Sequence, residues 1–313
     1  MGSLGSPTKK AKIAIAGAGV AGTFLFKYLK KYGFDVDIYE IDRAKLGCYC
    51  AWGVEQDNFY KIMRLIDVKG EDYLLCKILG TKVGGETVLM DNFITIDKKK
   101  LMTDLVGDDL KIGNITLDDY EIIIDATGVN RAYLGPIDKA YEDAVLLPDT
   151  YQIRDAKREC KEEEFVRFTL MKVGYSWEFP LGKRGWHYGY GDLGGGKMAW
   201  SVKGCECMKK IRFGPTRLNR PFTRGKIWGV GEAIGTVSPT SGEGIIPSLE
   251  CAIILGKMIV DRWNLEGYYC DKEYERKVLE KFKYMNISYR AVQGMWGKGL
   301  WKLILPFTLA KTL

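Results

Sequence analysis

The chain has 313 residues, 46% apolar and 28% charged, with a formal net charge of +7. That length accommodates one large or two intimately joined α/β domains, and the ordinary apolar and charged fractions exclude a disordered, fibrous or low-complexity protein. The basic residues are dispersed with no recognition motif, which argues against nucleic acid as a partner. The excess charge is compatible with an anionic membrane surface, a phosphorylated substrate or no partner at all.

No run of eighteen uncharged apolar residues and no signal peptide occur, so the expectation is an intracellular, cytoplasmic protein that does not span a membrane. Met1 to Thr8 reads as a Gly- and Ser-rich tail outside the fold. Eight cysteines (Cys48, Cys50, Cys76, Cys160, Cys205, Cys207, Cys251, Cys270) form two C-x-C pairs but no C-x-x-C. With a single histidine no zinc pattern remains, so no metal is expected. In a cytosol these thiols are expected to stay mostly reduced.

Lys12 to Ala16 is a short apolar run, Gly17-x-Gly19-x-x-Gly22 a glycine turn, Thr23 to Lys31 a helical stretch, and Asp35 to Tyr39 a second strand ending at Glu40. This is a βαβ opening. The first glycine permits the tight turn, the second lets backbone approach a pyrophosphate, and the third lets helix and strand pack closely, with the free N–H groups of the helix start facing the phosphates. Glu40 lies eighteen residues after Gly22, where a carboxylate accepts both ribose hydroxyls of an adenosine. FAD and NAD both fit this unit.

Leu46 to Gly53 is a small-residue loop in which Cys50 is a flavin neighbour, a redox thiol or filler. Between Tyr73 and Asp97, breaks at Gly84-Gly85 and Asp91-Asn92 predict short antiparallel strands. Lys98 to Val106 reads as a helical turn. Tyr120 to Asp125 is a fully buried strand, and its Ala126-Thr127-Gly128 turn is placed under a cofactor. From Thr150 to Ser201 aromatic and β-branched residues dominate. A strand there sets Tyr175, Trp177 and Phe179 on one face, either packed in a core or walling an apolar pocket, and the lone His187 is a candidate proton donor nearby.

Lys226 to Gly231 predicts a short buried strand that breaks at Gly231-Glu232, followed by a loop with Pro239-Thr240-Ser241-Gly242-Glu243-Gly244-Ile245 and a helix from Gly244 to Trp263. The acid at the strand end suits a ribityl chain, and the helix start suits the electron-rich edge of a flavin. Two such motifs about two hundred residues apart, with no further Gly-rich turn between them, point to one extended FAD site rather than two cofactor sites.

With these parts assembled, the chain resembles the flavoprotein hydroxylase superfamily and, within it, the geranylgeranyl reductase family that saturates isoprenoid chains such as those of archaeal membrane lipids. The resemblance rests on the glycine turn with Glu40, the Gly47 to Gly53 segment, Asp125 to Gly128, Tyr175-x-Trp177-x-Phe179-Pro180 followed by Gly189, and Gly231-Glu232 with Pro239 to Ile245. It implies an α/β, α+β overall, architecture: a Rossmann-like FAD-binding domain of the p-hydroxybenzoate hydroxylase type, an inserted antiparallel-sheet substrate domain, and a helical carboxyl end. By that pattern the flavin-binding parts are 9–72, 98–149 and 223–263, the substrate sheet is 73–97 with 150–222, and 264–313 is the helical end.

The resemblance further implies that Gly17, Gly19, Ala21, Gly22 and Glu40 hold the adenosine half of FAD, and that Cys50, Ala51 and Gly53 run beside the flavin. Glu232, Gly244 and Ile245 bind its ribityl and ring portions, and Ala126, Gly128, Gly231 and Gly242 are further cofactor-binding residues. Lys98 stands where the family has an arginine, and Tyr175, Trp177, Phe179, Pro180 and His187 line a lipid site. Glu232 in place of Asp, and a short span between the Lys98 helix and the Tyr120 strand, depart from the family.

The expected reaction is hydride delivery from reduced flavin to one alkene carbon and a proton from Cys50 or water to the other, with electrons from a ferredoxin or NAD(P)H. A flavin monooxygenase, an isoprenoid cyclase and an electron-transfer flavoprotein are the alternatives on the same fold. Met295 to Leu313 mixes Trp, Leu and Phe with Lys. That stretch fits either peripheral contact with the inner membrane face or a helix over the site mouth.

Overall fold

Strand β1 (Lys12–Ala16) is central in a six-stranded sheet of order β13-β14-β7-β1-β2-β6, built with β2 (Asp35–Glu40), β6 (Leu110–Ile112), β7 (Ile122–Asp125), β13 (Thr223–Arg224) and β14 (Ile227–Gly229). The structure, a computed structural model, describes residues 11–47, 50–138, 149–155, 158–171, 174–192, 209–212, 218–238, 241–263 and 271–285. All pairings in this sheet are parallel except β13 with β14. Parallel strands buried on both faces need apolar residues at every position, and Ile13, Ala14, Ile15, Ile123 and Ile124 are all fully covered.

Helix α1 (Val20–Lys31) follows the glycine turn and starts three residues earlier than its sequence suggests, because the turn itself feeds directly into it. Phe24, Leu25 and Leu29 bury its inner face, and Lys30 and Lys31 complement the negative end of its dipole. Helix α3 (Lys98–Val106) occupies the stretch expected to be helical; the Asp97 carboxylate accepts from Lys100 N–H at 3.1 Å and Gly107, at φ +53°, ends it.

A second sheet of eight strands runs β12-β8-β11-β10-β9-β4-β5-β3. Its members are β3 (Gly53–Glu55), β4 (Leu74–Val83), β5 (Glu86–Ile96), β8 (Asp149–Asp155), β9 (Glu163–Met171), β10 (Gly174–Pro180), β11 (Trp186–Asp192) and β12 (Lys209–Arg212). It is mixed rather than antiparallel throughout, since β4 and β9 pair in parallel. The strands expected to be short between Tyr73 and Asp97 are one long hairpin. Gly84 and Gly85, both at positive φ, make its turn.

The anticipated break at Asp91-Asn92 is a β-bulge instead. Ile78 pairs with Phe93 and Gly80 with Leu89, and Asn92 takes φ +69° at the irregularity. Its side chain hydrogen-bonds Glu55 and Asp57 at the start of α2 (Gln56–Arg64), so the bulge fastens the sheet to a helix N-terminus.

Helix α4 (Ile245–Trp263) packs along α1, and α5 (Asp271–Lys281) docks behind β14, where the buried Tyr274 hydroxyl donates to Gly229 O at 2.6 Å. Among the described residues no helix is long and apolar enough to cross a membrane. Cys48, Pro239, Thr240, Cys205, Cys207, Cys270 and the Met295 to Leu313 segment lie outside the described residues, which include Cys50, Cys76, Cys160 and Cys251.

Candidate functional site

The chain runs β1 to β2 on one side of the parallel sheet and returns to β7 on the other side of β1. The carboxyl ends of β1 and β7 are therefore the point where strand order reverses, the place where such sheets bind ligands. A cleft of about 940 Å³ opens there. Backbone bonds stitch its floor: Gly17 N–H donates to Tyr39 O at 2.8 Å, Ala126 N–H to Ala16 O at 2.8 Å and Val230 N–H to Asp125 O at 3.0 Å.

The glycine turn is held at close range. Gly17 has φ +98°, and a Cβ added there would stand 2.4 Å from Ala126 O; one on Gly22 would stand 2.0 Å from Gly17 O. At Gly19 nothing lies within 4 Å of that position. Thus Gly17 and Gly22 close the turn while Gly19 leaves room for an occupant. Glu40 reaches the cleft with one carboxylate oxygen accepting from Ala18 N–H at 3.1 Å and the other from Ile41 N–H at 2.8 Å, which leaves acceptor capacity on both.

Asp125 is fully buried and accepts four hydrogen bonds: from Thr127 N–H and hydroxyl at 3.0 and 2.6 Å, and from Tyr133 and Leu134 N–H at 2.9 and 2.7 Å. It shapes the turn instead of facing a ligand. Arg131, at φ +45°, bonds Asn219, Ala233 O and Pro221 O, so it ties this turn to the segment leading into Gly231-Glu232. Burial lowers its guanidinium to about 10 despite the nearby Asp125 charge. Gly128, at φ +64°, lies opposite Glu232, whose carboxylate would stand 3.2 Å from an added Cβ.

The far end of the cleft is aromatic. Phe93, Trp177 and Phe179 line it, with Phe168 edge-on to Phe179 behind them. Trp177 and Phe179 do share one face of β10, as period-two geometry requires, and they are both core-packed and cleft-facing. The Tyr175 side chain lies outside the described residues. Two glycines make space for the wall: an added Cβ would lie 2.6 Å from the Phe179 ring at Gly53 and 2.2 Å from the Trp177 ring at Gly189.

Cys50 lines the cleft at φ +99°, two residues before Trp52 at φ +69°. Left-handed backbone at two non-glycine residues is costly and clusters at functional sites. Trp52 fixes the loop by donating from its indole to Gly47 O at 2.9 Å. His187 shares the face of its cross-strand partner Phe179, but Trp52 covers it edge-on at 4.5 Å, so the ring sits behind the cleft wall.

Gly17, Gly19, Ala21, Glu40, Cys50, Ala51, Gly53, Lys98, Ala126, Gly128, Trp177, Phe179, Glu232, Gly242, Gly244 and Ile245 therefore all come together in one cleft. Gly22 and Gly231 serve it from behind, Gly231 by packing against Ala21 and Ser248, and Pro180 accepts the Thr95 hydroxyl through its carbonyl at 2.7 Å. Sequence reasoning missed Tyr39, Phe93, Tyr133 and Glu243 in the lining. Tyr39 and Glu243 adjoin motif residues and were findable on that ground; Phe93 and Tyr133 arrive only through tertiary packing.

No family model matches the sequence. An uncharacterised protein of Methanocaldococcus jannaschii is 22% identical, over 90% of this chain and 91% of its own length; another from that organism is 32% identical over 38% of this chain and 32% of its own length. Among solved structures, a geranylgeranyl bacteriochlorophyll reductase-like protein of Thermoplasma acidophilum is similar with a TM-score of 0.72 at 14% identity, over 97% of this chain and 90% of that one.

A flavoprotein/dehydrogenase of Cytophaga hutchinsonii gives 0.66 at 15%, over 92% and 86% of the two chains. For 2-methyl-3-hydroxypyridine-5-carboxylic acid oxygenase the values are 0.65 and 16%, over 92% and 93%. The fold is the one these flavoprotein-type structures share, a Rossmann-like sheet joined to a second, larger sheet.

Proposed function

We propose that this chain is an FAD-dependent oxidoreductase that reduces isoprenoid double bonds of a lipid. The observation that carries the reading is the single cleft bounded by both glycine motifs, Glu40, the Asp125 to Gly128 turn and an aromatic wall. The open side of Gly19 and the α1 N-terminus fit a pyrophosphate, and Glu40 fits an adenosine ribose. Lys98 and Glu232 would flank the ribityl region; Cys50, Ala51, Gly53, Gly242, Gly244 and Ile245 would surround the ring.

Bound FAD supplies two-electron hydride chemistry. Trp177, Phe179 and Phe93 keep water from the reacting end, and an alkene that lacks polarity depends on such positioning. Cys50 is the proposed holder of the proton that reaches the second alkene carbon. The likeness to a geranylgeranyl reductase-like structure supports the substrate class. A ferredoxin or NAD(P)H is the proposed electron source, and contact with the cytoplasmic membrane face is proposed for delivery of the lipid.

The test is anaerobic reduction with dithionite followed by a geranylgeranyl lipid. Reoxidation matched by a mass gain of two hydrogens per bond is expected. A second reading, a flavin monooxygenase, is favoured by the similarity to an oxygenase over 92% of the chain; oxygen consumption coupled to NAD(P)H would select it. A cyclised product without net reduction would select a cyclase, and no reoxidation at all an electron-transfer role.

A further inference from the structure

Helix α4 starts at the ring end of the cleft, with Gly244, Ile245 and Ser248 in the lining. Glu243 precedes it and lines the same cleft. Its carboxylate accepts from Ile246 N–H at 2.8 Å, so the chain already sets an acid of its own on the donors that an anionic ligand edge would seek. The backbone of Glu243 is held in place, its carbonyl accepting from Ser238 N–H at 2.8 Å and its N–H donating to the Ser241 hydroxyl at 3.3 Å.

The titratable groups that act on Glu243 are Glu250 on α4, Glu55 at the end of β3 and Tyr284 beyond α5. Glu250 is paired with Lys281 at 2.7 Å, and Glu55 caps α2 by accepting from Asp57 and Asn58 N–H. Glu250 and Glu55 are the charges that act on Glu243, the former partly offset by its Lys281 partner, and Lys98 is the cation in the lining of the same cleft.

We propose that Glu243 is a protonation switch at the ring end of the cleft: ionised, it sets a negative charge on the α4 N-terminus that repels an anionic ring, and protonated it keeps its hydrogen bond from Ile246 N–H without that charge. Burial, with the Glu250 and Glu55 charges, pushes its carboxyl up to about 7 against the opposing pull of the Ile246 N–H. The inference rests on the flavin reading of the cleft, since two-electron reduction with uptake of one proton leaves a flavin with one added negative charge.

Glu243→Gln is the informative variant, because its amide oxygen still accepts from Ile246 N–H and preserves the cap. On FAD-loaded protein, midpoint potentials from dithionite titration should match wild type at pH 5.5. At pH 8.5 the variant should favour the reduced form about tenfold more, about 30 mV for a two-electron couple. Equal potentials at both pH values overturn the proposal. Should wild type bind no FAD, the flavin reading fails separately. In the cofactor-free protein, 13C NMR of the Glu243 carboxyl, assigned by its loss in Glu243→Gln, still decides: titration near neutrality supports the switch, and titration in the ordinary carboxylate range overturns it.

Discussion

At the scale of single residues, the cysteines illustrate how burial separates groups that look alike in sequence. Cys76 and Cys251 are covered to 1% and 0% exposure, and burial pushes their thiols up to about 12 and about 11. Cys50 is only partly covered and lines the cleft. Alkylation of native protein at pH 8 followed by mass mapping should label Cys50 and leave Cys76 and Cys251 unmodified until denaturant is added. Glu243 gives a stability effect with a definite sign. Its folded-state pKa lies above the unfolded value of 4.5, so its contribution is present below pH 4.5 and is lost as pH rises through about 7. Glu243→Gln should therefore gain on wild type in urea unfolding between pH 5 and pH 8, by about 1–3 kcal/mol.

At the scale of elements, a turn and a strand carry the site. Asp125→Ala leaves four donors of the 127–134 turn, the Leu134 N–H fully buried and the others partly so, without an acceptor and should cost about 3 kcal/mol in urea unfolding, with Asp125→Asn costing less. Gly189→Ala forces the Trp177 ring to shift, so a loss of about 1–3 kcal/mol and weaker FAD retention are expected in thermal melts and equilibrium dialysis. Elements with strong local signals were readable from sequence: β1, β2, α3 and α4 stand where glycine turns, apolar runs and caps place them. The Asn92 bulge was not, because an Asp-Asn pair looks like a strand end until cross-strand pairing reveals two extra residues on β5. Likewise the role of Asp125 at its strand end emerges only from the turn folding back over it, where three N–H groups and one hydroxyl claim its oxygens. His187 resembled a pocket donor for want of any sequence sign that Trp52 covers it.

At the scale of the whole molecule, the two sheets meet at one cleft, β1, β7 and β14 supplying its floor and β3, β5 and β10 its aromatic end. A ligand bridging them should stabilise both together. FAD at about one hundred times its Kd should add about 2.7 kcal/mol and raise a single calorimetric transition, whereas a ligand confined to one sheet would split it. The strand order has a further consequence, for the time course of folding. The edge of β7 is filled by β14, which begins at Ile227, and the edge of β4 by β9, which begins at Glu163. A chain leaving the ribosome therefore carries unpaired strand edges from the end of β4 until β14 emerges, and pairings this distant in sequence close slowly. Pulsed hydrogen exchange during refolding should find β1 and β2 protected first and β4 protected only with β9, which makes the nascent protein a client for chaperones during the very interval in which its cleft is still half built.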